Sequence, residues 1–124
     1  MRALATVCRG LQHIDLSATR VTDAGVSFLA AGCSQLRSLD VSNTHERITD
    51  ATAFLLAAAA TTGRVCLQAV DFSFTAVGPE AVATLLVRTV SLQSVTVTRA
   101  RISGRFQSEL AAIRPSCVVI VYRS

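Results

Sequence analysis

Four segments of this chain share one spacing: LQHIDLSATRV from Leu11, LRSLDVSNTHERI from Leu36, LQAVDFSFTAV from Leu67 and LQSVTVTRARI from Leu92. Each fits L-x-x-φ-x-φ-x-x-T-x-φ, with φ apolar; the fourth has Ala100 where the others have Thr19, Thr44 and Thr75. The second unit is longer than the first, and a final copy of the pattern falls on CVVIVYRS from Cys117. A period in the twenties means stacked units, each too small to bury its apolar side alone. At 124 residues there is room for one such stack, a single domain over 1–124.

Within each unit the apolar pair alternates, which places Ile14 and Leu16 on one side of a strand and His13, Asp15 and Ser17 on the other. Strands are predicted near 11–17, 36–42, 67–73, 92–98 and 117–123. A turn follows at the Thr position, where the hydroxyl can satisfy loop backbone. A helix then begins. Thr22 and Thr49 are N-cap residues followed by Asp in the first turn. Gly78 precedes Pro79, which suits the first helical position, and Ser103 is a fourth candidate cap. The predicted core stripes are Val26, Phe28 and Leu29; Phe54, Leu55 and Ala58; Val82, Leu85 and Leu86; and Phe106, Leu110 and Ile113.

The segment VTDAGVSFLAAGCSQL, Val21 to Leu36, resembles the cysteine-containing subtype of the leucine-rich repeat. Cys8 stands three residues before Leu11 as Cys33 stands three before Leu36. Arg64, Thr89 and Arg114 occupy that slot later in the chain. The resemblance implies an α/β leucine-rich-repeat solenoid of four to five repeats. It would be a right-handed horseshoe segment with parallel strands on the concave face and helices on the convex face. It also implies an interaction protein rather than an enzyme. One variant of that role is the substrate-recognition segment of an F-box-type ubiquitin-ligase subunit.

Charge and composition set further bounds. Six Arg face seven acids over residues 1–80, whereas six Arg face Glu109 alone over 81–124. All twelve cations are Arg. The Arg-rich third could contact RNA or acidic protein, as in a structural subunit of a large mitochondrial or ribosomal assembly. It lacks the interleaved aromatic platform of single-strand binders. None of the four Cys forms a C-x-x-C pair, and no secretory signal is visible. Reduced thiols and an intracellular protein are expected, cytoplasmic first and mitochondrial as the alternative. No apolar run reaches a membrane span. There is no Walker loop, dinucleotide fingerprint or nucleophile elbow, so no cofactor, metal or catalytic residue is assigned.

Stacking builds ladders across neighbouring strands: Asp15, Asp40, Asp71 and then Thr96; Ser17, Ser42, Ser73 and Thr98. The extra residues of the second unit put His45, Glu46 and Arg47 at the rim. The predicted partner-binding set is therefore His13, Asp15, Ser17, Arg20, Asp40, Ser42, His45, Glu46, Arg47, Asp71, Ser73, Arg99 and Arg101. The acids would meet basic groups on a protein partner, and Arg99 and Arg101 acidic ones. Stacks need polar caps. The chain opens within a helix and closes on the apolar SCVVIVYRS, which suggests a piece of a longer array or a subunit covered by partners, with self-association a third explanation.

Overall fold

The computed structural model describes residues 10–63, 65–98 and 104–122. Cys8, the Ser103 cap, Arg99, Arg101 and Arg123 lie outside the described residues. The elements run in order β1 (His13–Asp15), α1 (Asp23–Gly32), β2 (Ser38–Asp40), β3 (His45–Thr49), α2 (Asp50–Thr61), β4 (Ala69–Asp71), β5 (Thr75–Ala76), α3 (Pro79–Arg88), β6 (Ser94–Thr98), α4 (Gly104–Ile113) and β7 (Val118–Tyr122).

The main sheet has strand order β1-β2-β4-β6-β7, every pair parallel. Register follows the repeat: Asp15 pairs with Asp40, Asp40 with Asp71, and Asp71 with Thr96. Parallel neighbours need a long crossover, and each helix supplies one. The aligned positions Ile14, Leu39, Val70 and Val95 point toward the helices and are buried. Leu36, Leu67 and Leu92 at the strand entries and Leu29, Leu56, Leu85 and Leu110 from the helices join them in one apolar layer. Burying each such leucine contributes about 2 kcal/mol, which makes the stack cooperative although each strand is short.

The caps form as the sequence implied. The Thr22 hydroxyl accepts from the Gly25 N–H, and the Thr49 hydroxyl from the Ala51 N–H. Gly78 holds the cap position before Pro79 without a side-chain bond. A lateral tie between units was not foreseen. The Asp23 carboxylate, in the first turn of α1, accepts from the Thr49 backbone N–H (2.9 Å), the Thr49 hydroxyl (2.6 Å) and the Thr52 hydroxyl. Asp50 repeats the device one unit on, accepting from the Gly78 N–H at 2.6 Å. The first turns of α1 and α2 thus each anchor the start of the following helix. At the opposite end of the helix layer, the Arg114 guanidinium donates to the carbonyls of Leu86, Thr89, Val90 and Leu92. It satisfies the C-terminal carbonyls of α3 and sets a positive charge against the negative end of that helix.

Three expectations are corrected. The core stripe of α2 has the right period and the wrong phase, and in α1 Val26 and Leu29 are buried as expected while Phe28 is not. Phe28 is 44 % exposed and Phe54 47 % exposed. The buried residues are Gly25, Val26, Leu29 and Ala30 in α1, and Thr52, Ala53, Leu56, Ala57 and Ala59 in α2. A helix apolar on nearly every side does not mark its inward face, so the tie from Asp23 to Thr52 fixes the phase instead. Ile113 is likewise exposed, while Leu110 is buried. The strands of the first, second and third units span three residues rather than seven, because their Asp residues end them in turns. The horseshoe solenoid is corrected to an α/β fold with a parallel sheet.

Candidate functional site

The chemistry of the D-x-S-x-T stretch is a turn. In each of three units the Asp Oδ1 accepts from the backbone N–H two residues on: Ser17 to Asp15 at 2.9 Å, Ser42 to Asp40 at 2.9 Å, Ser73 to Asp71 at 2.8 Å. This is an Asx turn, which competes with strand continuation. The next residue enters the left-handed region, with φ of 56° at Ala18, 57° at Asn43 and 55° at Phe74. The Thr hydroxyl then donates back to the carbonyl three residues earlier: Thr19 to Leu16, Thr44 to Val41 and Thr75 to Phe72. Turns of adjacent units also bond to one another, Ala18 N–H to the Ser42 carbonyl and Asn43 N–H to the Ser73 carbonyl. The sheet is thereby extended into a ladder of turns at the strand C-termini.

The predicted site residues separate accordingly. His13 and Asp15 are exposed on β1, and Arg20 is exposed just past the first turn. Asp40 and Asp71 are half-buried. Ser17 is half-buried in its turn. Ser42 and Ser73 are buried and are withdrawn as partner contacts; the Ser73 hydroxyl donates to Asp71 at 2.6 Å. Their burial follows from the turn, which tucks the second residue after the Asp under the next unit. His45, Glu46 and Arg47 are exposed on β3, which pairs in parallel with β5. The register shifts between His45 and Thr49, so the inserted residues bulge outward beside the turn ladder. Arg99 and Arg101 lie outside the described residues. In the same Arg-rich third, Arg114 is engaged by backbone carbonyls.

On the face of the sheet away from the helices, the outward pairs are His13 and Asp15, Ser38 and Asp40, Ala69 and Asp71, Ser94 and Thr96, then Val118 and Ile120. The face passes from acidic at β1 to apolar at β7, where Val118 is 59 % and Ile120 45 % exposed. Each ladder Asp commits Oδ1 to its turn. Hydrogen bonds from the Ser17 hydroxyl and backbone hold the Asp15 carboxyl below the usual carboxylate range. It is therefore ionised at neutral pH. The repeat counted from Cys117 puts Ile120 and Tyr122 in the inward apolar slots. The observed pairing is one residue earlier, Val119 beside Val95 and Ile120 beside Thr96, so Ile120 faces outward with Val118, to which the sequence assigned no role.

No cluster among the described residues has the His, Cys, Asp or Glu content to hold a metal ion. No described helix is long and apolar enough to cross a membrane. Burial raises the Cys117 thiol above its ordinary value, against the opposing pull of Arg114. Cys33 is buried and Cys66 exposed.

No family model matches the chain. No curated protein matches it either. Solved structures do. One is leiomodin-1 actin-binding site 2, with a TM-score of 0.75 and 10 % identity over 98 % of this chain and 76 % of that one. Another is the tropomodulin C-terminal domain of Caenorhabditis elegans, with a TM-score of 0.71 and 17 % identity over 99 % of this chain and 80 % of that one. At such identities the likeness is one of fold. The assignment to the cysteine-containing leucine-rich-repeat family is thereby overturned. The repeated spacing reflects what any stacked strand–turn–helix unit requires. The cysteine slot, moreover, is filled by Thr89 and Arg114 as well as Cys33, with different chemistry at each. Neither likeness points to a ubiquitin ligase or a ribosomal subunit.

Proposed function

We propose that the chain is a non-catalytic protein-binding module that engages its partner with the open sheet face and the adjoining turn edge. The observation that carries this is the face itself: five parallel strands uncovered by any described helix, grading from ionised Asp15 to exposed Val118 and Ile120. Such a surface suits a partner with basic groups at one end and apolar side chains at the other. Asp15, Asp40 and Asp71 meet the basic groups, and His13, Arg20, His45, Glu46 and Arg47 line the edge. Of the hydroxyls nearest the acids, Ser73 donates to Asp71, and Thr19, Thr44 and Thr75 donate to turn carbonyls.

Actin is the first partner to test, since a leiomodin domain of the same fold is named for an actin-binding site. A cytoplasmic location accords with that choice. Co-sedimentation with filamentous actin and equilibrium binding to monomeric actin, at low and high salt, are the measurements. Binding weakened by the combined substitution Asp15→Lys, Asp40→Lys and Asp71→Lys, with folding intact, supports the open face. Binding of neither actin form removes actin as the partner. Actin binding that survives the triple substitution moves the contact to another surface.

A further inference from the structure

The outward side chains of the open face stand in two rows that run across the strands. Register sets Asp15, Asp40, Asp71, Thr96 and Ile120 in one row, and His13, Ser38, Ala69, Ser94 and Val118 in the other. Neighbouring strands lie about 4.8 Å apart. Measured from Asp15, the first row therefore holds carboxylates at about 0, 5 and 10 Å, Thr96 at about 14 Å and Ile120 at about 19 Å. The second row lies two residues back along each strand, about 6.6 Å away. Between the acidic end and the apolar end its floor is made of small, half-buried side chains, Ser38, Ala69 and Ser94.

An α-helix laid across the strands has the matching repeat. One turn advances about 5.4 Å, so side chains at i, i+3, i+7, i+10 and i+14 fall at about 0, 4.5, 10.5, 15 and 21 Å. That is one side chain for each strand, within about 2 Å over the whole row. A helix about 10 Å wide also covers both rows. An extended segment turns a side chain to one face every 6.6 Å or so, and is already about 3.5 Å out of step at Asp71. A polyproline helix advances about 9.3 Å per turn, which meets alternate strands and passes over Asp40.

Taking the open face as the binding surface, we propose that its occupant is an amphipathic α-helix of the partner protein, lying across the strands. Lys or Arg at i, i+3 and i+7 stand over Asp15, Asp40 and Asp71, and aliphatic side chains at i+11 and i+14 cover Val118 and Ile120. Charge complementarity selects the basic end, since three acids share one row. The exposed Val118 and Ile120 at the far end of the rows select the apolar one. Asp15 is exposed and Asp40 and Asp71 half-buried, so each ion pair adds only about two- to fivefold to affinity. One helix also covers less area than a standard interface. The complex is therefore weak and salt-sensitive, with a Kd in roughly the micromolar to hundred-micromolar range.

The probe is a fluorescein-labelled Ala- and Gln-based peptide of about 18 residues, with Arg at i, i+3 and i+7 and Leu at i+11 and i+14. A control of the same composition carries its Arg at i, i+2 and i+4, the spacing of an extended segment. Anisotropy titration with the full chain should show the control binding about tenfold or more weakly, and circular dichroism should show the matched peptide gaining helix as it binds. Asp40→Asn should weaken the matched peptide about two- to fivefold, and Ile120→Asp about fivefold or more, with folding intact. The proposal is overturned if the matched peptide fails to bind up to about 1 mM, if the two peptides bind alike, if the bound peptide gains no helix, or if Asp40→Asn leaves binding unchanged. Absence of a peptide preference, while the combined Asp15→Lys, Asp40→Lys and Asp71→Lys substitution still impairs partner binding, strikes the helix and keeps the open face. Peptide and partner binding that both survive the combined substitution strike the open face itself.

Discussion

Replacing Asp23 probes the tie between helix N-termini most directly. Its carboxylate is the acceptor for the Thr49 N–H, the Thr49 hydroxyl and the Thr52 hydroxyl. Thr52 is fully buried, so in Asp23→Ala its hydroxyl loses its partner without access to water, which costs about 1–2 kcal/mol. Thr49 is half-buried, and water recovers much of its two bonds, leaving about 0.5 kcal/mol. Removing a carboxylate from the first turn of α1 adds about 0.5 kcal/mol. The total is about 2–3 kcal/mol, or roughly 10 °C in Tm for a chain of this size. Asp23→Asn keeps an acceptor and should lose about half as much. Thr52→Val removes the buried donor, so the double variant Asp23→Ala/Thr52→Val should cost less than the two single changes added together. Urea denaturation monitored by circular dichroism measures the wild type and all four variants. A loss below about 0.5 kcal/mol in Asp23→Ala, or strict additivity in the cycle, would refute the tie.

The pH dependence has a definite sign. Burial pushes the Asp23 carboxyl up, but the bonds from Thr49 and Thr52 outweigh it and leave it below its ordinary value of 3.8. A lowered carboxyl contributes stability that is present above the unfolded-state value and is lost as pH falls through the folded one. The gap between wild type and Asp23→Asn should therefore hold from neutral pH to about 5 and narrow below about 4.

Two further substitutions check the backbone and packing arguments. Ala18 has φ of 56° and is exposed. Ala18→Gly should relieve the left-handed cost, less the added freedom of the unfolded chain, and stabilise by about 0.5–1 kcal/mol in thermal denaturation; a lower Tm would contradict the turn assignment. Thr89 is fully buried and its hydroxyl has no hydrogen-bond partner. Thr89→Val, of nearly the same shape, should stabilise by about 1 kcal/mol, and a loss of stability would mean that the hydroxyl is satisfied after all.

The register of β7 differs by one residue from the repeat counted from Cys117, but the α/β character, the caps at Thr22, Thr49 and Gly78 and the register of β1, β2, β4 and β6 were legible in the linear repeat. Each depends on backbone geometry between near neighbours in sequence, and D-x-S-x-T with its apolar flanks dictates the same strand, turn and helix each time it occurs. The role of the ladder acids was half legible. Their position on the open face follows from alternation, but the turn bond that takes one oxygen from each is an i to i+2 contact that the same letters also encode, and it was passed over in favour of a partner role. Burial of Ser42 and Ser73 was not legible, because it depends on the next unit lying over the turn. Nor was the phase of α2: with Ala, Leu and Phe on nearly every side, only a bond from a different unit, Asp23 to Thr52, decides which residues face in. The stacked architecture is thus written locally and repeatedly in the sequence. Which surfaces remain uncharged, unpaired and available to a partner was decided only when the units packed, because exposure is a property of neighbours and not of any residue alone.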